Sequence, residues 1–257
     1  MKKRVAIICG GRSSEHEISC ISAGGVLGAI DRTRYEPVLI GITKSGKWVL
    51  IPEGHPMDIS GTTLPSVPES APTVVADVAG FTSGGKSLAI DIVFPLLHGP
   101  FGEDGTIQGL LEIADIAYVG SGVLASAVAM DKSFAKPIFA SQGIATAPGL
   151  VVKKSDWGNR SAEITKEVTA LGYPVFVKPA RGGSSRGTSK VKSEGDLLAA
   201  VLEAFTFDPK IMIESAIVGS EIECAVLEIE GQPQASIVGK IVIDSKFEFY
   251  DFEAKYL

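Results

Sequence analysis

The chain has 257 residues, of which 45% are hydrophobic, and it carries a formal net charge of −6 at pH 7. This length and hydrophobic content predict one large or two ordinary globular domains with a buried core. Lys and Arg are not clustered as a nucleic-acid partner requires, and no apolar run is long enough for a signal peptide or a membrane span, so we expect a cytoplasmic protein.

The first half of the chain alternates short apolar runs with helical patterns. Residues 4–11 (RVAIICGG) are typical of a buried parallel strand that enters a glycine loop, and Ser14 and Glu17 have the spacing of a capping box. Residues 52–86, rich in Pro, Gly, Ser and Thr, are predicted to form a surface excursion with one short strand near 73–78. Further strands are predicted at 35–42, 47–51 and 90–99, and a helix at 105–114. Strands that alternate with helices favour a parallel sheet.

A second part begins near residue 121. Residues 124–143 are predicted to form two helical pieces, with Asp131 capping the second and Pro137 late enough to kink it rather than forbid it. Beyond them we predict strands at 149–154, 173–179 and 210–215, helices at 159–171 and 194–204, and β-rich segments at 221–231, 234–244 and 247–252.

The stretch VFVKPARGGSSRGTSKV (175–191) places Lys178 at the end of an apolar strand, ahead of glycines and serines. It is not a P-loop, because there the lysine follows the glycines. The glycines permit left-handed backbone, and successive N–H groups with the Ser184 and Ser185 hydroxyls can form a nest for an anion. Taken alone, the stretch equally fits an exposed turn with a surface lysine.

A second motif, LHGPFGEDGTIQG (97–109), follows a buried strand at the edge where open α/β sheets bind ligands. The alternative is a capped turn, with Glu103 or Asp104 favoured by the start of the next helix. A metal site built from His16, His98 and these two acids is not favoured, since the ligands lack a paired spacing.

Two further motifs contain pairs of acids. In GGRSSEHEIS (10–19), Glu15 and Glu17 flank His16, and their spacing favours a role at the helix terminus over a salt bridge to an ammonium substrate. In IMIESAIVGSEIECAV (211–226), Glu214 and Glu221 are suited either to accept from ribose hydroxyls or to serve as polar residues of a hairpin.

Taken together and in this order, these segments closely resemble the D-alanine:D-alanine ligases of the ATP-grasp superfamily. GSGVLASAVAMDK (120–132) and FYDFEAKYL (249–257) complete the pattern, which spans essentially the whole chain. The resemblance implies an α/β fold with a Rossmann-like, open parallel-sheet domain (1–122), a central α+β ATP-grasp subdomain (123–216) and the start of a C-terminal lobe with the loop that covers the site (217–257).

The resemblance also implies an activity. The family joins two D-alanines through an acylphosphate for peptidoglycan synthesis, with ATP and magnesium, or manganese in its place, and usually as a cytoplasmic homodimer. Matching positions imply Glu15, Ser184 and Tyr256 as catalytic residues, and Glu15, His98, Ser184 and Lys255 as residues that bind D-alanine. ATP would be bound by Lys132, Lys178, Gly183, Ser184, Ser185, Glu214, Ala216, Ile217, Glu221 and Lys255.

Two departures from the family pattern stand out. Arg186 replaces a commonly aliphatic residue and points either to the phosphates or to solvent. The family's chain continues for roughly another hundred residues, which carry the magnesium ligands and an oxyanion-binding arginine. We therefore expect a truncated sequence with no metal ligands of its own and, alone, no ligase activity. The alternatives are another ATP-grasp carboxylate:amine ligase, or a non-catalytic nucleotide-binding fragment.

Overall fold

The structure is a computed structural model that describes residues 1–61, 63–243, 246 and 248–250. The chain divides into two units, Met1–Ile138 and Phe139–Leu257, each with a sheet and a hydrophobic core of its own.

The first unit is built on a mixed sheet with the strand order β3-β2-β1-β7. Strand β1 pairs in parallel with both β2 and β7, while β3 is antiparallel to β2, so the predicted parallel strands are confirmed. The described elements up to residue 141 are β1 (Lys3–Gly10), α1 (His16–Ala29), β2 (Tyr35–Ile42), β3 (Trp48–Leu50), β4 (Val74–Asp77), β5 (Gly80–Ser83), β6 (Lys86–Ser87), β7 (Ile92–Pro95), α2 (Thr106–Ile113), α3 (Val123–Met130) and α4 (Lys132–Ser141).

Helices cover both faces of this sheet. Alternate side chains of a strand point to opposite faces. Accordingly, Ile7 and Cys9 of β1 pack in the core that contains Cys20 and Ala23 of α1. Ile8 packs in a second core with residues of α2, Ile107 and Leu111. The nearly continuous apolar run of β1 is thus explained by burial on both sides.

The prediction for residues 52–86 is confirmed in one respect and wrong in two. The short strand predicted near 73–78 is present as β4, Val74–Asp77. First, β5 and β6, which were not predicted, continue β4 as an antiparallel meander. Its second turn places Gly84 and Gly85 at φ 56° and 76°, the backbone that a two-residue hairpin turn needs. Second, the segment is not a surface excursion, because Met57 and Val67 are buried in the core beside α1.

Val67 fills a notch between two glycines. A Cβ atom would lie 2.4 Å from Val67 Cγ1 if placed on Gly41, and 2.6 Å from Val67 Cγ2 if placed on Gly10. The backbone N–H of Val67 also donates to His16 Nε2 (3.1 Å), and His16 Nδ1 donates to the Gly11 carbonyl (2.8 Å). The segment is therefore attached to the glycine loop after β1 through one buried imidazole.

The two helical pieces near residue 131 are confirmed. Asp131 Oδ1 accepts hydrogen bonds from the Ser133 backbone N–H (3.0 Å) and hydroxyl (2.6 Å), which caps the start of α4. Pro137 lies inside α4, as predicted.

The second unit contains an antiparallel sheet with the strand order β10-β9-β11-β8, packed against two helices. Its elements are β8 (Gly149–Lys153), α5 (Lys154–Leu171), β9 (Val175–Pro179), β10 (Ser189–Val191), α6 (Glu194–Phe207), β11 (Lys210–Ser215), β12 (Ile222–Glu223), β13 (Val226–Ile229), β14 (Gln232–Ala235) and β15 (Gly239–Lys240). Helix α5 starts earlier than predicted and has non-helical backbone at Arg160.

Beyond β11 the chain forms two small antiparallel pairs, β12 with β15 and β13 with β14. Of the β-rich segment predicted at 247–252, residues 248–250 form a bend, and the others lie outside the described residues. Within the described part of the chain, no helix combines the length and apolar content that a membrane crossing requires.

Candidate active site

The first group of candidate residues lies at the carboxyl edge of the first sheet. Strands β1 and β7 are parallel neighbours that end at Gly10 and Pro95, so the loops that follow them leave from the same edge. This is the edge at which open α/β sheets bind ligands.

Glu15 is buried at this edge. It is the N-cap residue of α1 and is 3% exposed. A Cβ atom on Gly99 would lie 2.8 Å from Glu15 Oε2, so the carboxylate lies close against the Gly99 backbone, whose φ of 71° favours glycine. The Gly99 N–H donates to Glu103 Oε2 (2.6 Å), which brings a second carboxylate to the same backbone. Glu15 and the loop that carries His98 therefore meet.

The predicted capping box of Ser14 and Glu17 is wrong, because Glu15 takes the N-cap position. Glu17 instead forms an ion pair with Lys44. Burial alone would raise the pKa of Glu17, but the hydrogen bond from Lys44, a bond from its own backbone N–H and the nearby charges of Lys44 and His16 together outweigh it and hold the pKa below its usual value. The two acids that flank His16 thus differ: Glu17 has a lysine partner, and Glu15 faces the Gly99 loop.

His98 is held by the helix that carries Glu15. Its Nε2 lies 3.1 Å from Ser22 Oγ, and that hydroxyl donates to the Ile18 carbonyl (3.0 Å). Since the hydroxyl proton is used in this way, Ser22 accepts from Nε2–H, and neutral His98 keeps Nδ1 as its acceptor nitrogen. His98 lines two cavities, of about 360 and 480 Å³.

Asp104 stabilises the turn before α2. Its carboxylate accepts from the backbone N–H groups of Phe101 (2.9 Å) and Thr106 (3.0 Å). Burial alone would raise the pKa of Asp104, but these hydrogen bonds outweigh it and lower the pKa. His16, by contrast, is held in the core by Gly11 and Val67. The disfavoured metal site therefore has at least two members with structural roles.

The second group of candidate residues lies in the other unit. Lys178 on β9 pairs with Met212 in the register of β11 and forms an ion pair with Glu214, two residues further along β11. Glu214 is 4% exposed, so its charge is removed from water and set against a cation. This pairing shows that Lys178 is not an ordinary surface lysine.

The glycine–serine loop, residues 182–187, follows β9 and is half-buried. Ser184, Ser185 and Gly187 have φ values of 48°, 57° and 65°. The loop makes two tight turns, in which Arg186 N donates to Gly183 O (3.1 Å) and Thr188 N to Ser185 O (3.1 Å). Ser185 Oγ donates to the Tyr250 carbonyl (2.9 Å). An exposed hairpin with free ends does not fit these contacts.

The remaining predicted residues are more dispersed. Ala216 N donates to the Pro174 carbonyl (3.0 Å), while Ile217 is 70% exposed and Glu221 is exposed. Lys132 begins α4, in the first unit. Lys255 and Tyr256 lie outside the described residues.

Sequence reasoning missed two contacts of these sites: the Ser22–His98 hydrogen bond, and the contact of Arg181 with Asp208. For Ser22 a signal exists, since residues seven apart, such as Glu15 and Ser22, share one helix face. Arg181 and Asp208 are separated by 27 positions and carry no local signal.

Comparisons with known proteins agree along the whole chain. Residues 4–121 match the family described as D-ala D-ala ligase N-terminus, and residues 138–257 match D-ala D-ala ligase C-terminus. The D-alanine–D-alanine ligases of Kineococcus radiotolerans and an Arthrobacter species are 49% and 50% identical over 100% of this chain, which spans 72% and 71% of their lengths.

Solved structures show the same relationship. A D-alanine-D-alanine ligase from Coxiella burnetii superposes with a TM-score of 0.82 at 35% identity, over 94% of this chain and 71% of its own. The VanG D-Ala:D-Ser ligase from Enterococcus faecalis gives 0.81 at 35% identity, over 100% and 74%.

Proposed function

Because the chain belongs to the D-alanine:D-alanine ligase family, we infer that it is an ADP-forming ligase that makes D-alanyl-D-alanine for peptidoglycan synthesis. The strongest support is the match of both family domains, in the family's order, to residues 4–121 and 138–257. An open α/β sheet and an ATP-grasp fold are the architecture that this reaction uses in the solved relatives.

A carboxylate must be activated before an amine can attack it. We propose that the first D-alanine carboxylate takes the γ-phosphoryl group of ATP, which releases ADP and forms an acylphosphate. The amine of the second D-alanine then attacks the carbonyl carbon, and phosphate leaves as the peptide bond forms. All of these groups carry negative charge, so catalysis depends on positioned cations and N–H donors.

The first unit is suited to hold the first D-alanine. Glu15 supplies a buried carboxylate for its ammonium group, at the start of α1. His98, held through Nε2 by Ser22, keeps Nδ1 as an acceptor in the loop at the same edge of the sheet. These contacts support D-alanine binding by Glu15 and His98.

The second unit is suited to hold ATP. Lys178 offers a cation on the strand that leads into the loop of Gly183, Ser184 and Ser185, whose N–H groups and hydroxyls can bind an anion, and the ion pair with the buried Glu214 holds Lys178 in place. Ser184 would also orient the substrates. The adenine and ribose would lie along Ala216, Ile217 and Glu221, after β11. We further propose that Lys132 contacts the phosphates, and that Lys255 and Tyr256 cover the site.

The supporting metal, assembly and location are also proposals. Metal ions typically assist this family, and we propose magnesium. Across residues 1–61, 63–243, 246 and 248–250, no group of three or more His, Cys, Asp or Glu fits a metal ion. We propose a cytoplasmic homodimer. Within each subunit we propose domain boundaries near residues 122 and 216.

The activity is tested with purified full-length protein, ATP and a panel of amino acids. We expect ADP release and a dipeptide product with D-alanine. Assays with D-serine or D-lactate as the second substrate show whether the enzyme also makes a mixed dipeptide or a depsipeptide. D-serine is included because one of the structural relatives is a D-Ala:D-Ser ligase. Phosphate release with L-amino acids but not with D-alanine would show a different ATP-grasp ligase.

A further inference from the structure

The start of the glycine–serine loop is anchored to a buried carboxylate. Asp208 follows α6 and is 2% exposed. Its Oδ2 accepts from the backbone N (2.9 Å) and Nε (3.0 Å) of Arg181, and its Oδ1 accepts from Arg181 Nη2 (2.7 Å) and Lys210 N (3.0 Å). Arg181 is the residue immediately before the loop, so these bonds fix where the loop begins and in which direction.

The end of the loop rests on the neighbour of Asp208. A Cβ atom on Gly187 would lie 2.4 Å from Phe207 Cδ2 and 2.9 Å from Phe207 Cε2. The backbone at Gly187 therefore passes directly over the phenyl ring. Phe207 is 47% exposed, so the Gly187 backbone covers part of a ring that is otherwise open to solvent.

Two consecutive residues, Phe207 and Asp208, thus contact the two ends of the loop, and the backbone of this loop requires such support. Ser184 and Ser185 lie in the left-handed region, where a non-glycine residue is strained. Such backbone persists only where surrounding contacts enforce it. A loop released at either end would relax away from this shape.

We infer that Phe207 and Asp208 are positioning residues for ATP: they preset the glycine–serine loop in its phosphate-binding shape without touching the nucleotide. Asp208 acts through Arg181, and Phe207 acts through the backbone of Gly187. This inference rests on the proposed function, since it requires that the loop bind the phosphates. It assigns a role in that binding to the junction between α6 and β11, which no sequence motif marks.

The test compares full-length Asp208→Asn, Phe207→Ala and Phe207→Leu with the parent protein. Asp208→Asn keeps the side-chain size but loses the charge and one acceptor oxygen. We expect the Kd for ATP, measured by titration calorimetry without D-alanine, to rise about tenfold in Asp208→Asn and several-fold in Phe207→Ala. Phe207→Leu retains an apolar wall and should bind ATP within about twofold of the parent.

Arg160→Ala is the matched control. It removes a bidentate arginine–carboxylate pair, Arg160 with Glu163, that is exposed on α5 of the same unit. We expect no change in its ATP affinity. The melting temperature without nucleotide separates positioning from stability, because a purely structural role would lower melting temperature and leave the Kd of the folded protein unchanged.

Each outcome decides the matter. ATP affinity equal to the parent in both Asp208→Asn and Phe207→Ala overturns the inference. If Asp208→Asn does not fold, the contrast between Phe207→Ala and Phe207→Leu decides alone, and equal affinities in that pair overturn it. A parent protein that binds no ATP and makes no dipeptide instead refutes the proposed function, which keeps the two failures distinct.

Discussion

At the scale of single residues, the two acids that flank His16 separate by their partners. Glu17 is neutralised by Lys44, whereas Glu15 is turned toward Gly99 beside His98. Spacing along the chain assigns both acids to the helix terminus, and the choice between them depends on contacts with residues 27 and 84 positions away. Only the resemblance to the ligase family selected Glu15.

Substituting Glu15→Gln should damage binding of the first D-alanine. The amide has the same shape but cannot pair with an ammonium group, so kcat/KM for D-alanine should fall about 100-fold, a loss typical of a buried charge partner. Steady-state kinetics measures the loss of catalytic efficiency, and the melting temperature measures any loss of stability separately. Glu17→Gln is the control, with activity expected within about twofold. Equal losses in both variants would contradict the assignment of Glu15.

Asp104 gives a prediction on pH and stability. Its pKa is lowered in the folded protein, so its stabilising contribution is complete above the unfolded value near 3.8 and is lost as pH falls through the folded pKa. Asp104→Asn should therefore melt below the parent at pH 7, and the two melting temperatures should converge below about pH 4. A difference that stays constant from pH 7 to pH 3 would show that charge is not involved.

At the scale of elements, α1 links the candidate site to the fold. Glu15 and Ser22 lie on one face of the helix and both contact the loop after β7. The strands and helices with long regular patterns were predictable from the sequence. The β4–β6 meander was not, because its strands are two to four residues long and its glycine-rich turns suggested an irregular excursion. The buried Met57 and Val67 were hidden by the polar composition around them.

The contact of Ser22 on α1 with His98 predicts that substituting Ser22 lowers activity. Ser22→Ala removes the acceptor of His98 Nε2–H, which frees the imidazole to rotate and change tautomer. We expect kcat/KM for D-alanine to fall about tenfold, the cost of about one hydrogen bond that orients a functional group. Ser22→Thr keeps the hydroxyl and should recover most of the loss. An unchanged kcat/KM in Ser22→Ala would exclude this role of Ser22.

At the scale of the whole molecule, the candidate residues divide between the two units. The first contains Glu15 and His98, and the second contains Lys178, Glu214 and the glycine–serine loop. Each unit has a hydrophobic core of its own beneath its candidate residues. The resemblance to one family assigned residues to both units, but the physical reason for each assignment became visible only from contacts within a unit.

This division predicts separate footprints in hydrogen exchange. ATP should slow amide exchange in residues 182–187 and in β9 and β11, and D-alanine at saturating concentration should slow it in residues 10–16 and 97–104. Mass spectrometry of peptides resolves these segments. The β4–β6 meander is the internal control and should exchange equally in all states. Protection of the meander by ATP, without protection of the loop, would place the nucleotide elsewhere.

The notch that Val67 fills has an evolutionary consequence. Gly41 has ordinary strand backbone, so steric conflict with Val67 and with the flexible end of Ile51 is what bars alanine there. At Gly10 alanine is barred by the same valine, by the Ile42 carbonyl oxygen, which would lie 2.4 Å from its Cβ, and by a φ of 87°. We therefore expect positions 41 and 67 to change together among relatives, with alanine at 41 only where a smaller residue occupies 67. Position 10 should remain glycine whichever residue occupies 67.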